Sequence, residues 1–145
     1  MSGFYTDKPP MVIHEWLRER IKLHWSTDFK GLARVVDGKI VGAVAYCGFT
    51  GTACEMHMAG EKPGWFNREF IRLAFRYPFE ILDLKMVFGK VPSGNTRALD
   101  IDLRLGFKEI LYIEGAHPDG GLHILQLKRE DWMRTKYGRQ STRRT

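Results

Sequence analysis

Glu55 and His57 stand two apart in the run Ala53-Cys54-Glu55-Met56-His57-Met58. Its alternation puts both on one face of a strand and Cys54, Met56 and Met58 on the other. A carboxylate beside an imidazole is a usable pair for general-base chemistry, although ordinary outward-facing strand residues would show the same pattern. A second carboxylate, Asp102, falls inside the apolar arc of a short helical segment, an odd place for a charged residue; an aspartate is a poor acid unless burial raises its pKa. The loop Ala59-Gly60-Glu61-Lys62-Pro63-Gly64 runs into a helix that Asn67 can cap. The free N–H groups and dipole of that helix start, with Lys62 and Arg68 nearby and a permissive backbone at Gly64, suit an anion. Cys47 and Cys54 have no adjacent base and read as free thiols rather than nucleophiles. Five histidines and two cysteines show no metal-ligand spacing, so no metal is expected.

These residues need elements to position them. From Met11 to about Leu23, Val12, Ile13, Trp16, Leu17 and Ile21 recur at helical spacing, which predicts an amphipathic helix after an extended lead-in over residues 1–10. Leu32 to Val36 and Lys39 to Tyr46 read as strands joined by an Asp37-Gly38 hairpin turn. The strand bearing Glu55 and His57 is the third. The helix after the loop should bury Phe66, Phe70, Leu73, Ala74 and Tyr77 and stop at Pro78. A fourth strand, Met86 to Val91, ends in Pro92-Ser93-Gly94-Asn95. The next stretch is ambiguous, since Leu99, Ile101, Leu103 and Leu105 alternate as a half-buried strand would. Turn and cap chemistry at Ser93, Gly94 and Asn95, with Gly106 placed to end a helix, decides for helix. Lys108 to Gly115 and Leu122 to Leu127 close the sequence of elements as two strands. The expected fold is α/β, a mixed, mainly antiparallel sheet flanked by helices, with ligands gathering at the carboxyl ends of the third and fourth strands.

At 145 residues, 43% apolar and 28% charged, the chain suits one domain with a sizeable core. No apolar run approaches the length needed to span a bilayer, and the first residues lack the regions of a signal peptide, so a cytoplasmic protein without a membrane partner is expected. The net charge of +6 is concentrated in 132–145, where Arg134, Lys136, Arg139, Arg143 and Arg144 meet no acid. The division expected is one domain over 1–131 and a basic tail over 132–145. Such a tail suits a contact with nucleic acid, ribosome or an acidic protein; a solvated terminus that aids solubility, or an arm for substrate docking or a homodimer, fits the same composition.

The order of elements and several motifs resemble the GNAT superfamily of acyl-CoA-dependent N-acyltransferases, from about Leu32 to Glu130. Asn95 after a strand, a small residue at Ala98 and Leu105-Gly106-Phe107 at the helix end carry the likeness most specifically, and Gly38 to Gly42 is similar to the family's second hairpin. Gly64 to Ile71 with Tyr77-Pro78-Phe79 looks like compact members common in phages and proteobacteria. The resemblance implies transfer of an acetyl group from acetyl-CoA to an amine of a protein or small molecule. Glu55 and His57 would then free the amine from its proton. A backbone amide near Met58 would meet the thioester oxygen, and Asn95 the pantetheine region, a role that a simple helix cap would mimic. Two departures stand out. Glu61 to Phe66 replaces the usual glycine-rich pyrophosphate loop, with Pro63 removing an amide, and Asp102 stands where many relatives have a tyrosine that protonates the leaving thiolate. A GNAT-like protein that has lost its chemistry and works through its basic tail is the alternative.

Overall fold

The computed structural model describes residues 4–6, 9–61 and 64–138. Among the described residues seven strands form one sheet in the order β1-β2-β3-β4-β5-β7-β6. They are β1 (Phe4–Thr6), β2 (Lys30–Val36), β3 (Lys39–Cys47), β4 (Ala53–Gly60), β5 (Met86–Pro92), β6 (Lys108–His117) and β7 (Gly120–Lys128). The helices are α1 (Pro10–Ile21), α2 (Arg68–Arg76), α3 (Thr96–Leu105) and α4 (Arg129–Arg134). All neighbours pair antiparallel except β4 and β5, which the crossover through α2 makes parallel. No helix among the described residues is long and apolar enough to cross a membrane.

Local chemistry explains most of these boundaries. Asp37 and Gly38 both take positive φ, 52° and 80°, as the tight β2–β3 hairpin requires. Asn67 caps α2 by accepting the Phe70 N–H at 2.8 Å, and Asn95 caps α3 by accepting the Ala98 N–H at 3.1 Å. Gly106, at φ 112°, ends α3 in the left-handed conformation. The ambiguous stretch is thus a helix.

The sheet separates two cores. On one face α1 packs Ile13 and Leu17 against Ala33, Val35, Ala43 and Ala45. On the other, α2, α3 and α4 cover Val44, Tyr46, Met56, Val87, Leu125 and Leu127.

Three expectations are corrected. The lead-in contributes β1, which pairs with β2 through Phe4↔Val35. Pro78 does not stop the second helix, because Tyr77–Ile81 continues it as a π-helical turn in which the Leu82 N–H reaches the Tyr77 carbonyl at 2.9 Å. Pro78 has no N–H for the Ala74 carbonyl, and the buried Tyr46 hydroxyl donates to that oxygen instead. The buried residues of α2 are Phe70, Ile71, Arg72, Ala74 and Phe75, while Phe66, Leu73 and Tyr77 are half-buried. In the π turn that follows, Phe79 is buried in the core. Trp132, in α4 at the head of the basic segment, is 1% exposed and packs on Phe79 at a ring distance of 5.5 Å. Residues 139–145 of that segment lie outside the described residues.

Candidate active site

The parallel ladder between β4 and β5 holds only Ala53↔Met86, Cys54↔Val87 and Glu55↔Phe88. Beyond it β4 stays with β3 as far as Gly60, and β5 stays with β7 as far as Pro92. Each strand therefore follows its other neighbour, and a groove of about 590 Å³ opens between them in the middle of the sheet. The Glu61 N–H donates to the Val41 carbonyl across β3. Because strand amides alternate, the N–H groups of Met58 and Gly60 point the other way, into the groove and past the last ladder pair.

Strand alternation divides the lining. Glu55, His57 and Lys90 lie on the face that carries α1, beside Arg20, Lys22 and His24 from the end of that helix. Met56, Met58, Trp65, Val91, Ile101 and Asp102 lie toward α2 and α3, with Asn95 among the same lining residues. Hydrogen bonds between Ser93 and Gly121, in both directions at 2.9 and 3.0 Å, tie the loop before Asn95 to the β6–β7 turn. Arg20 pairs with Glu61 and joins α1 to the end of β4.

Electrostatics separates the carboxylates. The Glu55 carboxylate lies 3.6 Å from His57 Nε2 and 3.1 Å from Lys90 Nζ. The imidazole first and the ammonium next hold its carboxyl down at about 2, against the cost of partial burial. So low a pKa makes Glu55 a fixed negative charge and a weak base. Asp102 is the reverse case, since burial alone pushes its pKa up to about 7, and near neutrality it is a usable acid. Burial also raises the Cys47 thiol to about 11 and the Cys54 thiol to about 12, so both are inert, unbridged groups.

The residues expected to hold an anion are less tightly grouped. Asn95 lines the groove, while Asn67 and Arg68 stand at the start of α2, where Asn67 is engaged as the cap. Gly64 turns at φ 84° and its carbonyl accepts from Arg34 Nη1 at 2.7 Å, outside the groove lining. Lys62 lies outside the described residues. The helix start with Arg68 fits a phosphate, and the apolar wall of Met58, Val91 and Ile101 fits a pantetheine arm.

Two lining residues escape a reading of single segments. Lys90 meets Glu55 only once the β4–β5 register is known. Trp65 lies flat on Gly42 and Gly60, a facing pair on β3 and β4, where a Cβ would sit 2.1 and 1.9 Å from the indole. The signal for that shelf is two glycines that become neighbours through the hairpin.

No protein-family model matches the chain, and no curated protein does. Solved structures do. A spermidine N-acetyltransferase SpeG mutant from Vibrio cholerae superposes with a TM-score of 0.76 at 12% identity, covering 91% of this chain and 96% of that one. Mutant forms of the same species' spermidine/spermine N-acetyltransferase SpeG give 0.75 at 12% over 91% and 98%, and its complex with manganese ions gives 0.75 at 12% over 90% and 95%. The chain has the GNAT fold of these neighbours.

Proposed function

We propose that the chain is an acetyl-CoA-dependent N-acetyltransferase that moves an acetyl group from the thioester to an amine. The observation that carries this reading is the groove between β4 and β5, open where the Met58 N–H faces it, in a fold shared with N-acetyltransferases. The donor belongs on the α2–α3 side and the amine on the α1 side, so that they meet through the gap in the sheet.

Within that frame His57 takes the proton from the attacking amine, directly or through water, and the Glu55 carboxylate, 3.6 Å from its Nε2, orients the imidazole. The amine nitrogen bonds to the acyl carbon as the C–S bond breaks. The Met58 N–H supports the carbonyl oxygen while charge gathers there. Asp102 hands its proton to the departing thiolate and thereby serves in place of a tyrosine. Asn95 and the start of α2 with Arg68 hold the donor's amide and phosphate groups. A protonatable Asp102 and an open groove favour retained chemistry over a fold that has lost it. The basic 132–145 segment has no part in these steps.

Calorimetry with acetyl-CoA and CoA tests the reading, with binding expected in the micromolar range. Asn95→Ala should weaken it by about tenfold, about 1.4 kcal/mol. Absence of binding at millimolar ligand would refute the proposal, and unchanged affinity in the variant would refute the site.

A further inference from the structure

The two oxygens of the Glu55 carboxylate meet different surroundings. Oε1 faces His57 Nε2 at 3.6 Å and Lys90 Nζ at 3.1 Å. Oε2 lies against the connection between β3 and β4. Glu55 pairs with Cys47, the last residue of β3, and Gly48 follows in the left-handed conformation at φ 62°. A Cβ on Gly48 would stand 2.5 Å from Oε2, 3.3 Å from Cδ and 3.5 Å from Cγ of Glu55. The carboxylate therefore occupies the space that any side chain at this position would fill.

The connection itself is tied down. The Phe49 N–H donates to Asp28 Oδ2 at 2.9 Å, and the Ser26 hydroxyl donates to Oδ1 of the same carboxylate. These bonds, that of Ser26 first, hold the Asp28 carboxyl below its usual range. The Thr50 N–H reaches the Ala53 carbonyl at 3.0 Å and closes the turn. Asp28 thereby pins the residue after Gly48, so the shift that a Cβ demands falls on the carboxylate, the far end of a flexible side chain. Among the described residues His57 and Lys90 are the ion-pair partners of Glu55, with the Cys47 thiol beside it on β3 and Arg20, Lys22 and His24 elsewhere along the groove.

We propose that Gly48 is a positioning residue, whose lack of a side chain seats the Glu55 carboxylate where Oε1 meets both His57 and Lys90. The inference rests on the transferase reading for the use that His57 makes of this contact. With a Cβ in the way, the carboxylate swings off Gly48 and Oε1 leaves the imidazole, which then loses the partner that orients it.

The test compares Gly48→Ala with Gly51→Ala, which puts the same methyl at a positive φ, 98°, in the same connection but meets no described residue within 4 Å. Carbon NMR of the Glu55 carboxyl from pH 7 down to pH 4 should show a constant, ionised shift in the wild type and Gly51→Ala. In Gly48→Ala the signal should begin to move, because the carboxyl has left the imidazole and ammonium that hold it at about 2 against an ordinary 4.5. In acetyl transfer, kcat of Gly48→Ala should fall about tenfold at unchanged KM for acetyl-CoA. On a Glu55→Ala background the same change should lower kcat no further. A constant carboxyl signal in Gly48→Ala, or full additivity of the two substitutions, would overturn the proposal. If Gly48→Ala does not fold, the double variant decides: it should fold as Glu55→Ala does, and its failure would place the cost in the backbone and overturn the proposal. A moved carboxyl signal in a protein whose wild type transfers no acetyl group would overturn the transferase reading and leave the seat of Glu55 standing.

Discussion

Replacing Asp102 with Asn should make the protein more stable and less active, and the stability gain should depend on pH. In the folded chain the carboxyl titrates at about 7 against an ordinary 3.8, through burial. The folded state therefore keeps a proton that the unfolded chain releases between these values, and wild-type stability falls as pH rises through that window. A shift of this size is worth about 4 kcal/mol, which partial solvent access reduces to roughly 2–3 kcal/mol. Asn has nearly the same shape and no charge to bury. Urea unfolding from pH 4 to pH 8.5 should show the variant's advantage near zero at pH 4, growing to its full value above pH 7, then flat. In parallel kcat should fall, and the wild-type loss of rate above pH 7 should disappear from the variant's profile. A stability difference that does not change with pH, or one that favours the wild type at pH 8, would refute the account of a buried acid.

The structure makes three further predictions. Gly60→Ala places a Cβ inside the Trp65 ring, so the indole must leave its shelf; we expect a red-shifted tryptophan emission and a loss of about 1–3 kcal/mol in chemical denaturation. Tyr46→Phe leaves the Ala74 carbonyl without the donor that Pro78 cannot supply and should cost about 1–3 kcal/mol, measured as a lower urea midpoint at unchanged acetyl-CoA affinity. For Glu55 the folded pKa is depressed, so its stabilisation holds above pH 4.5 and is lost as pH falls toward 2. Acid unfolding of Glu55→Gln should therefore converge with that of the wild type at low pH and fall below it by about 1–2 kcal/mol at neutrality.

Features set by neighbouring residues are legible in the chain itself. The α3 caps are written in Asn95 and Gly106, the first hairpin in Asp37-Gly38, and the shared face of Glu55 and His57 in their spacing. What cannot be read there depends on residues that meet only after folding. Pro78 looks like a stop because the lost donor is local, whereas the hydroxyl that replaces it comes from Tyr46, 28 residues before Ala74. Trp132 sits among basic residues that disguise a core anchor. Lys90 and the Trp65 shelf depend on strand register, which no single segment states. The insertion of β7 between β5 and β6 likewise appears only in the assembled sheet.

The short β4–β5 ladder has a consequence for hydrogen exchange. Amides at the centre of a seven-stranded sheet would ordinarily be the last to take up deuterium. Here the Met58 and Gly60 amides face open space, and they should exchange as quickly as those of a loop while Val44 and Leu125, in the flanking strands on either side, stay protected. The interior of this sheet thus contains a built-in window, and any ligand that closes it will announce itself as new protection at two central residues.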